Sequence, residues 1–143
     1  MQGISDNYLE TLRQNLIKNE GIKLFPYRDM FNNLTIGAGR NLDSVGISKD
    51  EALFLMNNDI QKSINFLSEF PWWNELNELR KIILTEMCFN LGATKFKEFK
   101  KMIDALGSKN YTLAAKEMMD SSWAREVKER AANLSFLMRE GSL

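Results

Sequence analysis

Between Leu79 and Leu91 the chain is apolar almost all the way round a helix, with Ile82, Ile83, Leu84, Met87, Cys88, Phe89 and Leu91 within thirteen positions. A helix of that kind is normally the buried centre of a bundle. Gly92 stops it. The segments on either side have the amphipathic faces such a centre needs. Leu53, Met56, Ile60, Ile64 and Leu67 hold one face over about four turns of a long helix, about 48–67. That helix has a strong start: Ser48 and Glu51 have capping-box spacing, with Ile47 and Ala52 placed as a hydrophobic staple. Ser68 to Asn77 is a turn region around Pro71, carrying Trp72 and Trp73. Beyond Gly92, Phe96, Phe99, Met102, Ile103 and Leu106 predict one helix, ended by Gly107. Leu113 to Met119 and Glu126 to Leu137 predict two more.

The N-terminal third reads differently. A first helix starts near Ser5 or Asp6, either of which can cap free N–H groups, and Leu9, Leu12 and Leu16 give it an apolar face. Gly21 ends it and leaves Glu20 in its last turn, where the negative end of the helix dipole favours a neutral acid. From Ile22 to Ile36 the pattern is extended. Pro26 suits an edge strand, Asn32-Asn33 a hairpin turn, and Gly37 and Gly39 mark sharp bends. The fold class is therefore α+β and mostly α. A small β-sheet lobe (about 16–50) is joined by the long helix to a larger helical lobe (about 72–143) that includes the N-terminal helix, all one domain over 1–143.

Composition narrows the chemistry. Of 143 residues, Lys plus Arg and Asp plus Glu number 19 each, so the net charge is zero, which argues against a nucleic-acid binder. There is no His, which removes His-based general-base catalysis and argues against zinc. The one cysteine, Cys88, sits in the apolar run EMCFNL and reads as a buried thiol; it cannot form an intramolecular disulfide. MQGISDNYLE carries no signal-peptide pattern and no apolar run approaches membrane-spanning length. Trp72 and Trp73 could stack on sugar rings, but packing at a helix junction is the better account.

Two carboxylates stand out by setting. Glu20 and Asp29 are nine residues apart across a chain reversal. Cleavage of a glycosidic bond needs an acid for the leaving oxygen and a second group to direct water or support a cation-like sugar. Two carboxylates in different environments can divide those tasks. Among 19 acids, however, that spacing alone carries little weight, and Thr35 in LTIG is an ordinary strand residue.

Taken together, Glu20-Gly21, Tyr27-x-Asp29 and Thr35-Ile36-Gly37-x-Gly39 resemble the phage-type, T4-like lysozyme family, and all three spacings of its pattern hold. The resemblance extends over most of the chain, through Asp50-Glu51-Ala52, Asp59, Arg80, Met87 to Gly92, Phe99, Ala114-Ala115, Ser122-Trp123 and Arg130-Ala131. It implies a lysozyme-like fold and a muramidase acting on peptidoglycan between N-acetylmuramic acid and N-acetylglucosamine. Carried over by position, Glu20 is the general acid, Asp29 supports positive charge or activates the water, and Thr35 helps to hold that water. Arg130 matches an arginine that pairs with the catalytic Glu, and Phe89 a cleft-wall position, although a core phenylalanine is an equal account. The resemblance further implies an endolysin that works alone as a monomer, without metal or cofactor. It is made in the host cytoplasm without a signal peptide, and reaches the wall after another factor, of holin type, lets it out.

Two departures from the family pattern matter. Arg40 stands where the family has His, with Asp59 matching its partner, so a permanently charged ion pair is expected there. Only Asn41 to Ile47 links Arg40 to the capping box, a shorter excursion than in the best-known member, which leaves the number of sugar subsites open. Two other readings stand beside the hydrolase. One is a lytic transglycosylase, which needs a single acid and against which Asp29 and Thr35 argue. The other is a non-catalytic peptidoglycan-binding module on the same scaffold.

Overall fold

The computed structural model describes residues 3–143; Met1 and Gln2, the first two residues of the MQGISDNYLE stretch, lie outside the described residues. Among the described residues are eight α-helices and one three-stranded antiparallel sheet, the mostly helical α+β class expected. The chain falls into two compact units, Met1–Ala52 and Leu53–Leu143, with the boundary inside the long helix.

The first unit begins with α1, Asp6–Glu20. Ser5 precedes it in the extended conformation of an N-cap, although its side chain accepts no bond from the first turn. Gly21 ends the helix at φ +73°, and its N–H returns to the Ile17 carbonyl at 2.8 Å. Within this unit none of the α1 residues is buried. The sheet follows in the order β1 (Lys23–Arg28), β2 (Leu34–Gly37) and β3 (Arg40–Asn41). Pro26 is on the edge strand β1, where its missing N–H breaks no ladder. The register pairs Arg28 with Leu34 and Tyr27 with Thr35, then Thr35 with Asn41 and Ile36 with Arg40. The first reversal turns at Asn32, which takes φ +64°, a conformation Asn adopts more readily than most residues.

The long helix α2 spans Lys49–Leu67, within a residue of expectation. Its capping box is reciprocal: Glu51 N–H donates to Ser48 Oγ at 3.2 Å, and Ser48 N–H donates to Glu51 Oε1 at 2.9 Å. Two orphan donors of the first turn are thereby satisfied.

The second unit holds the core. A 3-10 turn, Trp73–Glu75, leads to α3 (Glu78–Leu91), then α4 (Ala93–Lys97), α5 (Lys100–Gly107), α6 (Tyr111–Met119), α7 (Ser122–Val127) and α8 (Glu129–Glu140). Helix α6 packs on both α5 and α8, and α3 on α4 and α8. Leu67, Ile83, Leu84, Met87, Phe96, Met102, Leu106, Met118 and Met138 are fully buried, and each side chain of this size contributes about 1.5–3 kcal/mol by leaving water. Trp72 and Trp73 belong to this core, with Trp72 stacked on Phe70 at 4.7 Å between ring centroids. The tryptophan pair is thus a packing element. Burial also pushes the Cys88 thiol above its ordinary pKa, with the Ser63 hydroxyl opposing.

Three expectations need correction. Helix α3 is not enclosed on all sides within its unit: Ile83, Leu84, Met87 and Cys88 are buried, but Ile82 and Phe89 are exposed. Its main partners are α4 and α8. The helix expected through Phe96 and Leu106 is two, because the two aromatics serve different partners. Phe96 packs edge-on against Phe66 at 5.9 Å, whereas Phe99 meets Trp123 at 6.4 Å, and the backbone breaks between them at Phe99 (ψ +58°). The last expected helix is preceded by a separate one, α7, divided from α8 at Lys128 with φ +48° and ψ −109°. The end of α8 is held by Arg80 of α3, which donates to the carbonyls of Met138 (2.8 Å) and Arg139 (3.1 Å) and lies over the Tyr111 ring at 3.8 Å. Among the described residues no helix is long and apolar enough to cross a membrane.

Candidate active site

Glu20, Asp29 and Thr35 all lie in the first unit, at the end of α1, in the turn between β1 and β2, and in β2. Glu20 is the last residue of α1, and its side chain reaches the turn between β2 and β3. There a Cβ built on Gly39 would sit 3.3 Å from Glu20 Oε2 and 3.6 Å from its carboxyl carbon. Gly39 itself has φ +87°, so both its backbone conformation and its lack of a side chain admit the carboxylate.

Asp29 closes the turn between β1 and β2. Its Oδ1 accepts the N–H groups of Phe31 (2.9 Å) and Asn33 (2.8 Å), while its own backbone N–H donates to the Asn33 carbonyl at 3.0 Å. This is the local side-chain-to-backbone pattern for which Asp is favoured in turns. It fixes the carboxylate through one oxygen, and among the described residues Oδ2 takes no hydrogen bond. Thr35, paired with Tyr27 in the sheet, is 3% exposed, and its hydroxyl donates to the Asn33 carbonyl at 2.8 Å. Asn33 therefore ties Asp29 and Thr35 to one peptide. With its proton committed, the Thr35 oxygen has lone pairs left to accept from a further donor.

Arg40 has a partner within its own unit that sequence reasoning does not name. Its Nη1 donates to Glu51 Oε1 at 2.7 Å and to the Gly46 carbonyl at 3.1 Å, so within the first unit the ion pair is with Glu51; Asp59, the acid expected as its partner, belongs to the second unit. The short 41–47 link accounts for this by bringing the first turn of α2 back beside β3. Asn41 Oδ1 accepts the Ser44 N–H, and Asp43 Oδ2 accepts the Leu34 N–H, which keeps the link folded against the sheet. The Arg40 guanidinium, helped by the Ser48 amide and hydroxyl, lowers the Glu51 pKa to about 2, and Glu51 in turn raises that of Arg40. As expected of an Arg pair, this one does not titrate near neutral pH. Sequence reasoning finds Glu51 only as a cap; its second bond depends on how the link folds, which no local signal encodes.

The other candidates lie in the second unit. Arg130 Nε donates to Glu86 Oε2 at 2.8 Å, both half-exposed, so Glu86 is the carboxylate that holds it there. Both line a pocket of about 670 Å³, together with apolar Met56, Ile60, Trp73, Ile82 and Phe89 and polar Glu78, Lys81 and Thr85. Phe89 is thus exposed at this pocket and not part of the core. Asp59 lines a smaller pocket of about 370 Å³ with Lys62, Ser63, Phe66 and Phe89. Among the described residues no group of three or more His, Cys, Asp or Glu side chains is placed to hold a metal ion.

Comparison with known proteins points one way. Residues 17–138 match the family model described as phage lysozyme. A probable T4-type lysozyme 2 of Dictyostelium discoideum is 27% identical over 94% of this chain and 97% of its own length. A probable T4-type lysozyme 1 from the same organism is 23% identical with the same coverage. The pre-baseplate central spike protein of Enterobacteria phage T4 is 25% identical over 96% of this chain, but the match spans only 29% of that protein.

Proposed function

The chain belongs to the phage lysozyme family, whose members are lysozyme-like peptidoglycan hydrolases, and from that premise we propose that it cleaves the β-1,4 bond between N-acetylmuramic acid and N-acetylglucosamine by acid-assisted attack of water. Glu20 gives its proton to the glycosidic oxygen as the bond breaks. Asp29 Oδ2 and the Thr35 oxygen each accept one proton of a water, which leaves that water a lone pair for the anomeric carbon. The observation that carries this reading is the state of Asp29: one oxygen is fixed by two amides, and the other takes no hydrogen bond among the described residues. A carboxylate so held is oriented before substrate arrives and needs no reorganisation during the reaction. In the same reading Phe89 offers an apolar wall to a sugar face, and the protein acts as a phage endolysin released by a holin-type factor.

A lytic transglycosylase would use Glu20 alone, with a hydroxyl of the sugar in place of water. The fixed Asp29 and the Thr35 hydroxyl favour the hydrolase. The test is clearance of a purified peptidoglycan suspension by wild type beside Glu20→Gln. Clearance with new reducing ends, abolished by the substitution, is expected. Retained binding without clearance by wild type would mean a non-catalytic module.

A further inference from the structure

We infer that Glu51, on the first turn of α2, is a positioning residue for the reaction, acting on Glu20 through Arg40 and Gly39. This rests on the assignment of Glu20 as the acid.

The contacts run without a gap inside the first unit. Glu51 Oε1 takes the Ser48 N–H at 2.9 Å and the Arg40 guanidinium at 2.7 Å. The same Arg40 nitrogen donates to the Gly46 carbonyl at 3.1 Å, so the guanidinium ties the far end of the 41–47 link back to residue 40. Arg40 opens the short strand β3 and pairs with Ile36, and Gly39 directly precedes it. Gly39 is the surface on which the Glu20 carboxylate rests.

Strand β3 is only two residues long, Arg40–Asn41, so its ladder alone is a weak anchor. The side chain of Arg40 supplies the missing restraint, and Glu51 holds that side chain from the first turn of α2. Loss of the Glu51 charge frees Arg40, lets the 37–39 turn shift, and moves the surface that sets the direction of the Glu20 proton. A misplacement of about an ångström at a reacting group can cost up to ~100-fold in rate. A partial loosening of this kind should cost about tenfold, in turnover more than in binding.

The test compares turnover and KM on soluble peptidoglycan fragments, together with Tm, for wild type, Glu20→Gln, Glu51→Gln, Arg40→Gln, the Glu51→Gln/Arg40→Gln pair and Ser48→Ala. Glu51→Gln and Arg40→Gln should each lower kcat about tenfold with KM within about twofold, and the pair should be no worse than the worse single, because they break one interaction. Ser48→Ala removes only the cap hydroxyl and should keep wild-type kcat even if Tm falls. A lowered Tm with unchanged kcat in Glu51→Gln, or independent losses in the pair, overturns the inference. If Glu51→Gln does not fold, Arg40→Gln decides in the same way. Wild-type turnover by Glu20→Gln would sink the assignment of the acid and this inference with it. An inactive Glu20→Gln beside a fully active Glu51→Gln sinks the inference alone.

Discussion

The carboxylate of Glu20 rests on Gly39 so closely that a Cβ on that glycine would sit 3.3 Å from Oε2. Gly39→Ala should therefore fail twice. The positive φ makes a side chain strained there, at about 1–3 kcal/mol. The methyl would also press on the carboxylate. We expect a lower Tm and a drop in kcat, both read on the purified variant. Gly92, also at positive φ but with nothing within 4 Å of a built Cβ, is the control. Gly92→Ala should lower Tm without a comparable loss of turnover.

Asp29 has a structural and a chemical task that substitutions can separate. Asn keeps an oxygen for the Phe31 and Asn33 amides but has no charge. Asp29→Asn should fold with Tm close to wild type and lose ~100-fold or more in kcat. Asp29→Ala should lose activity and, with two turn amides unpaired, also about 1–3 kcal/mol of stability in denaturant melts.

Much of this architecture is legible in the amino-acid sequence. The capping box, the span of α2 and the stop at Gly21 rest on local chemistry, in which a few residues satisfy their own backbone groups. The three spacings of Glu20, Asp29 and Thr35 point to the family, and the fold places these residues in one unit. The bond from Arg40 to Glu51 is not legible, because Glu51 reads locally as a cap and only the folded link brings Arg40 beside it. The break at Lys128 is equally hidden, since neither Gly nor Pro marks it. The open side of α3 escapes for another reason. An apolar pattern reports what a helix could bury, not how many partners its own unit supplies.

The Arg40–Glu51 pair makes stability depend on acid. Glu51 has its folded pKa lowered from 4.5 to about 2, so its contribution is fully present above pH 4.5. It is lost as pH falls from 4.5 through about 2, because protonation is then costlier in the folded than in the unfolded chain. The Tm difference between wild type and Glu51→Gln should be constant at neutral pH and shrink across that window. High salt should reduce it as well, since the pair is partly exposed. A difference that does not vary down to pH 2 would contradict the pairing.

In the second unit, Leu84 on α3 is fully buried, and Leu84→Ala should cost about 2–5 kcal/mol in chemical denaturation. The half-exposed Arg130–Glu86 pair is a contrast: Glu86→Gln should change stability by no more than ~1 kcal/mol.

The central claim, hydrolysis by two carboxylates with separate tasks, is tested most directly by the masses of soluble products released from purified peptidoglycan by wild type, Glu20→Gln and Asp29→Asn. The account predicts fragments with hydrated reducing ends from wild type and none from either variant. Fragments lighter by one water, still released by Asp29→Asn, would contradict it, because water would then play no part and Asp29 would have nothing to direct.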